Sequence, residues 1–159
     1  MKRINQSEVP IQEVSSPKGD FSIRRRHLSL ALGGVKDEGP WAGGHAFDVE
    51  LSTLPPGKKN WPLHAHAAQT EYYIILSGSG LVIDGEGNEM PVSAGDHFIF
   101  LPGEAHQIIN NSSSDLSYYV IADHHVSDVT TYPKTGKRML KPGNECIYPT
   151  KADYHEGEE

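Results

Sequence analysis

Four side chains between positions 64 and 106 have the types and spacing to hold one metal ion. The stretch HAHAAQTE supplies His64, His66 and Glu71, and the stretch PGEAHQIIN supplies His106. Three imidazoles and one carboxylate form a mixed nitrogen–oxygen set suited to a divalent first-row metal, with Zn, Fe, Mn, Ni or Cu as the expected identities. An ion held this way polarises a bound carbonyl, enediol or O2 as a Lewis acid or redox centre. Burying three imidazoles and a carboxylate together without a cation is costly, and this favours metal binding over a metal-free polar pocket.

The elements must bring these four together. Alternate residues of a strand share a face, so His64 and His66 point the same way if HAH is extended. Glu71 lies five residues beyond His66, the wrong parity for one continuous strand, which requires a turn through Ala67–Thr70 and a new strand from Glu71. On that strand Glu71, Tyr73 and Ile75 face the ligands. His106 has to return from a later strand, after the turn at Pro102-Gly103, and Asn110 shares its parity. Gln69, Tyr73, His97 and Asn110 are the candidates to support the ligands or touch a bound molecule. His27, His45, His124, His125 and His155 are read as surface or packing residues.

Turn residues punctuate the chain from Gly33-Gly34 to Pro102-Gly103, with short β-branched and aromatic runs between them: FSIRRRHLSLAL, HAFDVELSTL, TEYYIILS, LVID, HFIFL, HQIIN and LSYYVIA. This spacing predicts an all-β sandwich or barrel, with no helical stripe of 12 or more residues. Residues 1–20 read as an N-terminal arm, 21–122 as the β-barrel domain, and 123–159 as an irregular C-terminal tail packing on the barrel or on a partner subunit. The run Arg24-Arg25-Arg26 alternates in a strand and reads as a solvated edge, with reach to an anionic ligand as the alternative, and the basic cluster in YPKTGKR reads as a surface feature.

With 159 residues the chain can build one self-sufficient core, so a metal is expected to serve function rather than folding. A net charge of −7 argues against nucleic acid and anionic membranes as partners, since both select a basic face. The lone Cys146 excludes an intrachain disulfide. The opening MKRINQSEVP lacks the apolar core of a signal peptide, and no apolar run is long enough to span a bilayer. A cytoplasmic location is the resulting expectation. Strand 71–76 is apolar on both faces, so something must cover its outer side, and a homodimer is expected.

Taken together, these residues resemble the cupin family. Gly57, His64, His66, Glu71 and Gly78 fit its first motif, and Gly95, Asp96, Gly103, His106 and Asn110 fit its second. The Gly57–His64 gap is one residue longer than usual, and Leu101 stands where the second motif has proline, with Pro102 one place later. The resemblance covers residues ~45–122. It implies a double-stranded β-helix (a jelly-roll barrel) with a mononuclear site of His64, His66, Glu71 and His106. It also implies open metal positions that favour a small anionic molecule, and a homodimer. Cupin-like enzymes include dioxygenases, decarboxylases and sugar-phosphate isomerases, and the expected function is one of these. The alternative is a non-catalytic cupin that binds or senses a small ligand.

Overall fold

The structure, a computed structural model, describes residues 1–158. Its strands are β1 (Gln12–Ser15), β2 (Ser22–His27), β3 (Phe47–Leu54), β4 (Ala65–His66), β5 (Glu71–Ser77), β6 (Ser79–Asp84), β7 (Glu89–Ser93), β8 (His97–Phe100), β9 (His106–Ile109), β10 (Leu116–Asp123), β11 (Val129–Thr131), β12 (Arg138–Leu140) and β13 (Glu145–Ile147). One layer is a six-stranded antiparallel sheet in the order β1-β2-β3-β10-β5-β8. Facing it are a three-stranded sheet, β7-β6-β9, and a four-stranded sheet, β13-β12-β11-β4, joined by a bridge between His64 and His106. The result is all-β, as the strand spacing predicts, and it is the double-stranded β-helix that the resemblance implies.

The register explains where the core ends and the chemistry begins. Across β3, β10 and β5, Tyr118 pairs with Ser52 and Ile75, Val120 with Glu50 and Tyr73, and Ala122 with Asp48 and Glu71. At one end of the barrel Ile23, Leu54, Ile75, Ile108 and Leu116 are almost completely buried and pack with Val82, Val92 and Tyr118. Each such aliphatic side chain contributes about 1.5–3 kcal/mol of burial free energy. Towards the other end the same inward rows carry Asp48, Glu50 and Glu71. The apolar end fixes the sheets, and the polar end is where these strands present titratable groups.

Gly78, between β5 and β6, has φ +81°, and a Cβ there would sit 2.3 Å from Asp115 O. Only glycine makes this corner, and the corner sets the hairpin that carries β6 across to β9.

Three expectations are corrected. The run FSIRRRHLSLAL is not one strand: β2 ends at His27 and Leu28–Ala31 forms a single helical turn. That turn is pinned to β3 by Ser29, whose Oγ donates to Asp48 Oδ1 (2.6 Å) and accepts from Val49 N (3.1 Å). The Arg24–Arg26 run is not an edge, because β2 lies between β1 and β3. Nor is the tail irregular throughout. β11, β12 and β13 form hairpins closed at Tyr132–Lys137 and near Pro142-Gly143, and β11 pairs with β4 through Thr130↔His66. The Pro and Gly residues that read as breakers are the hairpin turns. Among the described residues no helix is long and apolar enough to cross a membrane.

Candidate metal centre

Backbone pairing sets two of the four candidate ligands against each other. His64 N donates to His106 O (3.2 Å) and His106 N donates to His64 O (2.8 Å). His66 follows two residues on, in β4, and points the same way. The turn required by parity is present: β4 stops at His66 and β5 starts at Glu71. Two carboxylates hold it, Asp128 Oδ1 accepting from Ala68 N (2.9 Å) and Asp123 Oδ1 from Thr70 N (2.8 Å). The Phe100 ring stacks flat on His106, with centroids 3.8 Å apart.

One ligand atom each from His64, His66 and Glu71 lies within 4.8 Å of the others, a separation that suits a shared cation. His106 lies outside that mutual group and meets it through Glu71, with Nε2 2.9 Å from Glu71 Oε2. His66 Nε2 is 3.7 Å from Glu71 Oε1.

The opposite edges of the three rings are all occupied by acceptors. His64 Nδ1 lies 2.8 Å from Pro62 O, His106 Nδ1 3.1 Å from Glu104 O, and His66 Nδ1 2.6 Å from Asp128 Oδ2. Carbonyl and carboxylate oxygens only accept, so each Nδ1 carries the hydrogen, and in a neutral ring each Nε2 presents a lone pair. Three lone pairs and a carboxylate then converge. His106 Nε2 against Glu71 is favourable only with positive charge in place, either a proton on the ring or a cation between them. This is the donor set and tautomer that a divalent metal takes from histidine.

Burial holds the His64 imidazole down at about 4, despite the Glu71 charge, so the ring is neutral at pH 7. For Glu71 burial pushes upward, but the hydrogen bond and charge of His106, with His66 and His64, outweigh it and hold the carboxyl at about 2. Asp128 is completely buried, which likewise pushes it up. The hydrogen bonds from His66 and Ala68 N, with the charges of His66 and Lys141, bring it to about 2.

Of the four supporting candidates, the structure places two beside Glu71. Tyr73 Oη donates to Glu71 Oε2 (2.8 Å), and Gln69 Nε2 donates to Glu71 Oε1 (3.2 Å). The other two lie elsewhere. His97 is exposed on the outer face, where its Nδ1 meets Tyr72 Oη (3.0 Å), because in the register of β8 it is Phe98, opposite Tyr73, that packs against the core. Asn110 is fully buried in a loop, donating to Leu54 O and Ser114 O (2.7 Å each), and it holds backbone rather than facing the ligands.

Sequence reasoning missed Asp128, Lys141 and Glu50, and ranked Arg25 as a solvated edge residue ahead of its reach to an anionic ligand. The ligand cluster opens on a cavity of about 420 Å³ whose walls include Arg25, Lys36, Tyr132 and Lys141. A smaller inner cavity of about 170 Å³ shares Gln69 and Glu71 with it and continues to Glu50. Burial raises the Glu50 carboxyl, partly offset by the Ser52 hydrogen bond and the Arg25 charge. Nothing in the spacing of these residues marks them. The one usable signal is alternation on β2 and β3, which puts Arg25 and Glu50, but not Asp128 or Lys141, on inward-facing positions.

The fold and the ligand cluster together define a cupin. Residues 50–122 match the family model described as a cupin domain. Over 68 residues it is 38% identical to an oxalate-binding protein of Thermotoga maritima, a match covering 43% of this chain and 54% of that protein. The chain thus spans about half the length of the curated relative it matches. A crystal structure of a predicted oxalate decarboxylase, also from Thermotoga maritima, superposes with a TM-score of 0.62 at 26% identity, covering 78% of this chain and all of that one (100%). A sugar phosphate isomerase from Silicibacter pomeroyi superposes with a TM-score of 0.75 over 96% of this chain and 98% of that chain; at 20% identity this likeness concerns the fold alone.

Proposed function

We propose that this protein is a metal-dependent cupin that binds a small carboxylate at His64, His66, Glu71 and His106 and acts on it as an enzyme. One observation carries the reading: three Nδ1 atoms are committed to acceptors, so the three Nε2 edges face Glu71, with His64, His66 and Glu71 within 4.8 Å of one another and His106 Nε2 2.9 Å from Glu71. The residues fit one divalent transition metal, which when bound supplies Lewis-acid or redox chemistry. The names of the two Thermotoga relatives, an oxalate-binding protein and a predicted oxalate decarboxylase, support a carboxylate ligand.

The chain's own residues supply the rest. Tyr73 and Gln69 hold both oxygens of Glu71 in place. Glu50, the desolvated carboxyl on the inner cavity, is the group positioned to hold or release a proton. Phe100, stacked on His106, shields that ring from water. The test is oxalate added to metal-loaded and chelator-stripped protein, followed by calorimetry and by assays for CO2 release and O2 consumption. Binding and turnover confined to the loaded form support the reading. Equal binding by both forms, or none by either, contradicts it.

Binding without turnover is the second reading, favoured by the name of the oxalate-binding relative. Tight metal-dependent binding with unchanged oxalate recovered after prolonged incubation selects it.

We further propose a cytoplasmic homodimer. Tyr72, Leu76, Ile99 and Leu101 are exposed on or beside β5 and β8, and Tyr72 pairs with Ile99 on the outer face of the six-stranded sheet. An apolar patch of this kind marks an association surface. A monomeric mass by light scattering at micromolar concentration contradicts the dimer.

A further inference from the structure

All three cationic side chains in the walls of the outer cavity, Arg25, Lys36 and Lys141, come from outside residues 50–122, the segment matched to the cupin family. Arg25 lies on β2, and Lys141 directly follows β12. Both are largely withdrawn from water, with side chains 15% and 11% exposed. Burying a cation is costly unless close partners compensate it, and for Lys141 compensation is incomplete. Lys141 Nζ makes one hydrogen bond, to the neutral Gln69 Oε1 at 2.7 Å, while its nearest carboxylate oxygen, on Asp128, is 3.9 Å away and is already engaged by His66. Arg25 donates Nε to Gln12 (2.9 Å), forms a long salt bridge with Glu50 (3.4 Å), and lays its guanidinium over the Trp61 ring.

Lys141 is one amide removed from the ligand cluster. It donates to Gln69, and Gln69 in turn donates to Glu71 Oε1. A molecule with one acid group over the ligand cluster needs only a few atoms to bring a second acid group to Lys141 and Arg25. The cavity wall carries three cationic side chains, Arg25, Lys36 and Lys141, against two carboxylates, Glu71 and Asp37. Asp37 already accepts from Asn144 Nδ2 at 3.0 Å.

We propose that Arg25 and Lys141 form the specificity site of this cupin and select a small organic dianion. One acid group lies over His64, His66, Glu71 and His106, and the other is held by the guanidinium and the ammonium. This rests on the metal-site reading above and deepens it. The family-matched segment furnishes the candidate ligands, and the flanking segments choose the molecule. A planar guanidinium and an ammonium together suit a carboxylate or a phosphate as the second acid group.

The test is titration calorimetry on the full chain, loaded with zinc and separately stripped by chelator, against malonate, oxalate, inorganic phosphate and acetate at constant ionic strength. The proposal expects zinc-loaded wild type to bind at least one of the dianions at least ~10-fold more tightly than acetate, two good charged contacts being sufficient for that ratio. Lys141→Gln and Arg25→Gln should each remove most of this preference while zinc content and acetate affinity stay unchanged. Lys141→Arg should keep it, which guards against simple loss of packing, and Lys134→Gln should behave as wild type. A Lys141-dependent gain for phosphate over malonate makes the second acid group a phosphate. Dianion affinity no better than acetate in zinc-loaded wild type, or unchanged in Lys141→Gln, overturns the proposal and leaves the metal site standing. Wild type that holds no zinc and shows no Lys141-dependent dianion binding when stripped overturns both.

Discussion

Asp128 Oδ2 lies 2.6 Å from His66 Nδ1, joining residues 62 positions apart. The contact ties the residue just before β11, outside the cupin-matched segment, to a candidate metal ligand, while the other Asp128 oxygen holds the turn that leads to Glu71. A carboxylate behind a histidine fixes ring tautomer and raises ligand basicity, and losing such a partner typically lowers metal affinity about 10–100-fold. Asp128→Asn should therefore weaken zinc binding by about 10-fold and Asp128→Ala by more, as read by competition with a fluorescent chelator. Unchanged affinity in both variants would show that His66 needs no such partner.

Tyr73→Phe removes one hydroxyl and keeps the ring, which stacks on Phe98 with centroids 5.1 Å apart. What is lost is a hydrogen bond to an ionised carboxylate, Glu71, worth about 1.5–3 kcal/mol. Denaturant unfolding of the metal-free variant should show a loss towards the lower end of that range, since Glu71 keeps its bonds from His106 and Gln69. No measurable loss would place Tyr73 in packing alone.

Glu50 gives a pH signature. Its folded-state pKa is raised from 4.5, first by burial, so the folded state holds this proton more tightly than the unfolded state does. Its contribution is fully present below pH 4.5 and is lost as pH rises through the folded value. Glu50→Gln abolishes that dependence. The melting temperature of the variant should rise relative to wild type as pH increases from about 4 to 7, where the wild-type carboxyl ionises at a desolvated position. A constant difference across this range would contradict the raised pKa.

Gly78→Ala tests the corner between β5 and β6. The positive φ costs a residue bearing Cβ about 1–2 kcal/mol, and the added carbon must displace the Asp115 carbonyl 2.3 Å away. The expected destabilisation exceeds about 2 kcal/mol. A loss below about 1 kcal/mol would mean that the corner relaxes freely.

The candidate ligands were legible because their chemistry is written locally. HAH fixes two imidazoles by strand parity, the five-residue step to Glu71 demands a turn, and β4 and β5 break where that demand falls. The barrel was legible from alternation and glycine spacing. The tail was not: Pro133, Gly136, Pro142 and Gly143 read as breakers of order, whereas they form turns of a sheet whose partner, β4, is only two residues long. Without that pairing nothing in the sequence brings Asp128 or Lys141 near His66 or Gln69. His97 failed by one register step, since one residue along a strand exchanges inward for outward.

The most direct test of the central claim is the metal content of exhaustively dialysed protein after reconstitution with zinc, measured by elemental analysis on wild type, His106→Ala and Glu71→Gln. The account predicts about one zinc per chain in wild type and little in either variant, with the far-ultraviolet circular dichroism of all three alike. Wild type that retains no zinc, or variants that retain as much as wild type, would contradict it.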